Sequence, residues 1–295
     1  MEELESIKGY LDRPMTYMLS SDNYQGSEVV IFGIPMDFTT SYRPGARFGP
    51  QRVREVADAL ETYSPYLDRD LAEVTFYDAG DVEVHYGNVA ASLDKARQVA
   101  NRLFAAGKKP LMLGGEHLVS LPVIEAALEQ YPDLVLLHFD AHADLREEYM
   151  GERLSHATVI KQAVGSLANP TRLYQFGIRS GEAQEFAWAR KYSNFHPFDV
   201  LEPFLKVREE LQDKPLYVSI DIDVVDPAFA PGTGTAEPGG CSSAEILTVI
   251  RHLRGLNVVG LDIVELAPDL DSSDITAFLV AKMVREAVLA ISKDG

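Results

Sequence analysis

The order in which short apolar runs and helix-spaced stretches follow one another constrains this chain more than any other feature. EVVIFG (about 28–33), residues 74–78, KKPLMLGG, LVLLHF (134–139), TRLYQFG (171–177), PLYVSI (215–220) and LNVVGLDI read as strands, rich in β-branched and aromatic residues. Helical spacing falls between them. The first helix begins at Gly49-Pro50, where proline suits a first turn; others run over roughly 89–106, 118–130, 182–191, 201–211, 242–254 and 274–291. Such alternation predicts an α/β chain: a three-layer α-β-α arrangement with a largely parallel central sheet covered by helices on both faces. No Pro/Ser-rich linker, repeat or low-complexity tract interrupts the sequence. One domain over 1–295 is expected, with about 1–26 as an N-terminal extension.

Two of the strands run into carboxylates. LVLLHF is followed by Asp140-Ala-His142-Ala-Asp144, and PLYVSI by Asp221-Ile-Asp223. In an extended chain, positions i, i+2 and i+4 share a side, so each set is expected to converge on one spot. Packed carboxylates repel and raise one another's pKa. Bound divalent metal, two ions for this many ligands, is the arrangement that neutralises them. Gly114-Gly115-Glu116-His117 follows a third strand and adds an imidazole at a strand-to-helix junction, where sites in open parallel sheets form. His138 is read as a packed core histidine on the opposite strand face. APGTGTAEPGG (230–240) lacks the Lys-Ser/Thr ending and strand-to-helix context of a phosphate loop, and reads as a rigid active-site loop.

Composition removes several classes of function. A net charge of −18 argues against nucleic acid, whose phosphates need a basic face, and is compatible with a cationic small substrate. MEELESIKGY is unlike a signal peptide, and no apolar run approaches the roughly 18 residues of a membrane span. The single Cys241 cannot form an internal disulfide, which fits a cytoplasmic protein.

GGEH, DAHAD, SIDIDVVDPAFAPGTGT and DIVELAP, in this order and spacing, resemble the ureohydrolase family of arginases and agmatinases. RPGARFGP, FGIRSG and GTGTAEPGG resemble bacterial agmatinases in particular. The resemblance implies an arginase-like fold and a binuclear manganese site. Asp140 and Asp221 would bridge the ions, with His117 and Asp144 completing one sphere and His142 and Asp223 the other. A carboxylate-rich set with few imidazoles suits a hard ion such as Mn²⁺. The implied reaction is hydrolysis of a guanidinium by hydroxide held between the ions. Glu265 in DIVELAP would pair with the guanidinium, and His156 in LSHAT would carry a proton to the departing amine, with Asp144 as a relay. Family members are commonly trimers or hexamers, so a homo-oligomer is expected.

Glu116 stands where many members have Asp, and is expected to lie outside the ligand set. Leu145-Arg146-Glu147-Glu148 and Arg153-Leu154-Ser155 replace the stretches with which arginases hold an amino-acid carboxylate. Agmatine is therefore the favoured substrate; aminopropylagmatine, guanidinobutyrate and arginine are alternatives within the class. The loop between Asp144 and His156, with Glu147, Glu148 and Glu152 against Arg146 and Arg153, is expected to discriminate the substrate's far end, together with Glu182. A two-metal phosphoesterase would need Arg146, Arg153 or Arg179 to converge on phosphate. A non-catalytic scaffold is the third class, and the intact ligand set weighs against it.

Overall fold

The computed structural model describes residues 6–293, so the first five positions of the expected N-terminal extension lie outside the described residues. Nine strands form one sheet in the order β1-β5-β2-β6-β11-β10-β7-β8-β9. They are β1 (Leu11–Asp12), β2 (Val29–Ile34), β5 (Phe76–Val82), β6 (Lys109–Gly114), β7 (Val135–Phe139), β8 (Leu173–Phe176), β9 (Asn194–His196), β10 (Leu216–Asp221) and β11 (Val258–Val264). β3 (Tyr63–Ser64) and β4 (Arg69–Asp70) pair separately. All neighbours in the large sheet are parallel except β1, which runs antiparallel to β5 at the edge.

The three-layer arrangement follows from the period of two in each strand. On β2, Val29 and Ile31 enter one core while Val30, Phe32 and Ile34 enter the other. On β7, Val135, Leu137 and Phe139 face the first and Leu136 the second. Helices α1 (Gly49–Ala57), α6 (Leu201–Val207), α7 (Ser243–Arg251) and α8 (Ile275–Ile291) supply buried residues to the first core. Helices α2 (Val89–Ala105), α3 (Ser120–Gln130), α4 (Val159–Ser166) and α5 (Ala183–Tyr192) cover the second face. With both faces buried, the strands read as unbroken apolar runs.

The differences from the sequence reading lie in the smallest elements. β1, the β3–β4 pair and β9 have two or three residues each, too few to show a period. α4 (VIKQAVGS) buries Val159, Ile160, Ala163 and Val164, but eight residues rich in β-branched side chains do not announce a helix. The helix expected over 201–211 is α6 followed by a 3₁₀ turn over Arg208–Leu211. β5 extends beyond the expected 78 to Val82. Within the described part of the expected extension, Ile7, Tyr17 and Tyr24 are buried, and β1 closes the sheet edge. Among the described residues, no helix is long and apolar enough to cross a membrane.

Candidate metal centre and substrate pocket

The loops that leave β2, β6, β7, β8, β10 and β11 all emerge at the carboxyl ends of the strands and meet there. Two of them use the same local device. Asp140 follows the last residue of β7, and its Oδ1 accepts the N–H of His142 at 2.5 Å; Asp221 closes β10, and its Oδ1 accepts the N–H of Asp223 at 2.9 Å. Each carboxylate folds the chain back over itself, a turn that Asp favours. The N–H of Ala141 then donates to Asp223 Oδ1 at 3.0 Å, tying the two turns together.

This geometry corrects the expected reason for convergence. β7 ends at Phe139, so Asp140, His142 and Asp144 do not alternate along a strand. Asp144 takes a left-handed φ of 52°, which turns it toward the loop after β6, while His142 faces β10. His117 Nδ1 lies 3.0, 3.2 and 3.5 Å from oxygens of Asp140, Asp144 and Asp221. His142 Nδ1 lies 2.8 Å from Asp223 Oδ2 and 3.6 Å from Asp140 Oδ1. Two ligand groups result, His117 and His138 with Asp140 and Asp144, and His142 with Asp140 and Asp223. Asp140 belongs to both, whereas Asp221, expected as the second shared ligand, belongs to neither.

A hydrogen-bond chain decides which nitrogen of His117 faces the group. The hydroxyl of Ser219 donates to Asp262 at 2.7 Å, so its oxygen accepts from His117 Nε2 at 3.0 Å. Nε2 therefore carries a proton, which leaves Nδ1 as the nitrogen that faces the carboxylates and that would bind an ion on losing its own proton. That Nδ1 and Asp223 Oδ2 are buried and make no well-directed hydrogen bond. Buried polar atoms are rarely left so, and both point into the anionic cage. Burial, with Asp223, Asp140 and Glu265 nearby, pushes Asp221 well above the usual carboxylate range, and Asp223 is raised by burial and Asp140. Burial opposes protonation of His117 and His142, yet the surrounding carboxylates drive both well above the ordinary histidine value. Oxygen and imidazole donors around a strongly negative centre fit a pair of hard divalent cations.

His138 was expected on the opposite face, but it is two residues from Asp140 and shares its side. It is fully buried, with Nε2 2.8 Å from Asp140 Oδ2. The Gln175 amide nitrogen lies 3.1 Å from His138 Nδ1 and also donates to the Ala143 carbonyl. Gln175 thus donates to Nδ1, and His138 donates through Nε2, holding Asp140 in place.

Glu265 follows β11 in a left-handed conformation, φ 66°. Its N–H donates to the Gly115 carbonyl at 2.8 Å, and its Oε1 accepts the N–H of His117 at 2.7 Å. Burial, with Glu116 adding to it, pushes its carboxyl up to about 8. Glu265, His117, Asp144 and Asp221 line a pocket of about 320 Å³, with His156 on its wall. Burial lowers the pKa of His156, favouring the neutral imidazole.

The far end of the pocket differs from expectation. Arg146 and Tyr149 line it, but Glu147, Glu148, Glu152 and Arg153 do not. Glu147 is 2.9 Å from Lys161, away from the site. The acids present are Glu182 and Glu185, each 3.5 Å from Arg146, which also lies over the Tyr149 ring. Arg179 is committed to the carbonyls of Asp223, Val224 and Glu237. The 230–240 segment is held by Arg43, which donates to the Gly234 carbonyl, and Thr235 faces the pocket. Thr39 and Ser41, both near His156, were missed as individuals, although they lie in the FTTSYRPGARFGP segment.

Residues 27–290 match the profile of the arginase family. The chain belongs to that family. An agmatinase of Bacillus anthracis is 53% identical over 276 residues, covering 92% of this chain and 95% of the relative. An agmatinase of Bacillus subtilis is 48% identical over 280 residues, covering 94% and 96%. The solved structure of the agmatine ureohydrolase of Thermoplasma volcanium superposes with a TM-score of 0.86 at 33% identity, covering 99% of this chain and 97% of that one. Arginase-family membership and the clustered carboxylates thus agree on a hydrolytic metal centre.

Proposed function

We propose that this enzyme hydrolyses the guanidinium group of agmatine, giving putrescine and urea, at a pair of manganese ions. The observation that carries the reading is the juxtaposition, in one pocket, of the buried carboxylate of Glu265 with an anionic cage whose two orphan atoms point inward. His117 and Asp144 would hold one ion and His142 and Asp223 the other, with Asp140 and Asp221 available to both. Two such dications lower the pKa of a water molecule and supply a nucleophile near neutral pH.

The remaining work falls to the chain. Glu265 receives the flat cation, and the pairing offsets the burial that raises its pKa. Water adds its oxygen to the guanidinium carbon, and Asp144 relays its proton toward His156. The bond from that carbon to the nitrogen bearing the alkyl chain then breaks, and His156 returns the proton to the departing amine. Glu182 and Glu185 share the single Arg146 cation, so the far end keeps a surplus negative charge for the ammonium. A phosphoesterase reading loses support, since Arg179 and Arg146 are already engaged and Arg153 does not line the pocket.

The deciding measurement is urea release from agmatine, aminopropylagmatine, guanidinobutyrate and arginine by the manganese-loaded protein. At the Arg146 end of the pocket Glu182 and Glu185 already engage the guanidinium, so an amino-acid carboxylate would meet like charge there, and burying it without a cationic partner costs several kcal/mol. Agmatine is expected to exceed arginine at least roughly a hundredfold in kcat/KM, about 2.7 kcal/mol. Chelation should abolish turnover. Comparable efficiency on arginine would overturn the agmatine assignment.

A further inference from the structure

We propose that Thr39 is a positioning residue that decides which imidazole nitrogen of His156 meets the substrate, and that Glu116 imposes this choice. The inference rests on the reading of His156 as the group that protonates the leaving amine.

Glu116 is fully buried between His117 and the loop that follows β2. Its carboxylate accepts the N–H of Thr39 at 3.0 and 3.2 Å and the Thr39 hydroxyl at 2.5 Å. The Phe38 N–H also contributes to it. Both Glu116 oxygens already accept the Thr39 N–H, so neither is placed to donate back, and the hydroxyl commits its single proton to the carboxyl oxygen it meets at its shortest contact. Thr39 therefore turns only lone pairs toward His156.

Two nitrogens of His156 face that oxygen. The backbone N–H donates to Thr39 Oγ1 at 3.0 Å, and Nδ1 lies 3.4 Å from the same atom. An acceptor opposite Nδ1 favours the tautomer with the proton there. Nε2 is then left with its lone pair, 3.3 Å from the exposed hydroxyl of Ser41 at the pocket wall. Nε2 can thus take a proton from the attacking water and give it to the amine. Ser155 Oγ, 3.3 Å from Nδ1, accepts the Ala157 N–H and is the other hydroxyl on that side. Unlike Thr39, it has no carboxylate to claim its proton, so it follows whichever tautomer Thr39 sets.

Placement of the proton on Nδ1 is a claim about His156 alone, so its test separates Thr39 from general packing. Thr39→Val keeps the shape and removes the hydroxyl; on manganese-loaded enzyme it is expected to lower kcat for agmatine at least about tenfold. KM and manganese content should stay at wild-type values while the melting temperature falls, because Glu116 and the His156 N–H lose a buried partner. Thr39→Ser should restore both kcat and melting temperature. In a His156→Ala background, Thr39→Val should cause no further loss, because it acts through that imidazole. Ring nitrogen shifts of histidine-labelled protein, with a diamagnetic dication in place of manganese, should report Nδ1–H at His156 in the wild type and a mixed population in Thr39→Val. Wild-type kcat in Thr39→Val overturns the inference, as do an equal loss in Thr39→Ser, a full additional loss in the double variant, or an unchanged tautomer. Wild-type turnover in His156→Ala would instead overturn the role given to His156, which distinguishes the two failures.

Discussion

Glu265 is a residue whose backbone and side chain are both held under constraint. A non-glycine φ of 66° costs on the order of 1–3 kcal/mol and persists only where neighbours enforce it. Here the Gly115 carbonyl and the His117 N–H hold its two ends, so the carboxylate stays aimed into the pocket. Glu265→Gln keeps the size and the acceptor for His117 while removing the charge. The expected loss in kcat/KM for agmatine is on the order of 2–5 kcal/mol, the range for truncating one partner of a buried charge pair. Steady-state kinetics decide it, and wild-type values would return Glu265 to a purely structural part. Its motif was visible in the sequence; its left-handed backbone was not. His138 shows the reverse case. It was set aside as core, and only the packing of Gln175 against Nδ1 reveals that it anchors Asp140.

At the level of elements, the junction after β6 carries the site. Gly115 donates to the Ile34 carbonyl and Glu116 to the Met36 carbonyl, so the β6 exit lies directly against the β2 exit. A Cβ on Gly115 would sit 1.9 Å from the Met36 carbonyl oxygen, a backbone atom that cannot rotate away. Gly115→Ala is expected to force the two exits apart. Overpacking of this kind costs about 1–3 kcal/mol, and occasionally more. The same displacement moves Glu116 and His117, so metal affinity should fall alongside stability. Denaturant unfolding and metal titration check both; unchanged metal binding in a destabilised variant would mean the junction does not position His117. The long strands and helices were legible because burial on both faces leaves continuous apolar runs. α4 and the two-residue strands were not, because their conformations are set by neighbours rather than by their own periods.

Across the whole molecule, the edge of the sheet is locked by one buried cation. Arg54 of α1 meets Asp78 at 2.8 Å and Asp81 at 2.6 Å, both on β5, and Asp78 also accepts the N–H of Tyr17 from the N-terminal segment. Three parts of the chain thus share one charge network. Arg54→Met should cost about 3–5 kcal/mol, because the buried carboxylate of Asp78 and the half-buried one of Asp81 lose their cation. A loss below about 1 kcal/mol in equilibrium unfolding, against that range, would show that the network relaxes into solvent. The sequence by itself determined the layer architecture and the presence of a carboxylate-rich centre, since strand burial and the DAHAD and DID clusters are local and repeated. Only the tertiary structure decided which atoms face one another. The pairing of His117 with Ser219, of His156 with Thr39 and of Arg146 with Glu182 and Glu185 joins residues far apart in the chain or on separate loops. No local pattern encodes such contacts; they exist because parallel strands deliver their loops to one end of the sheet.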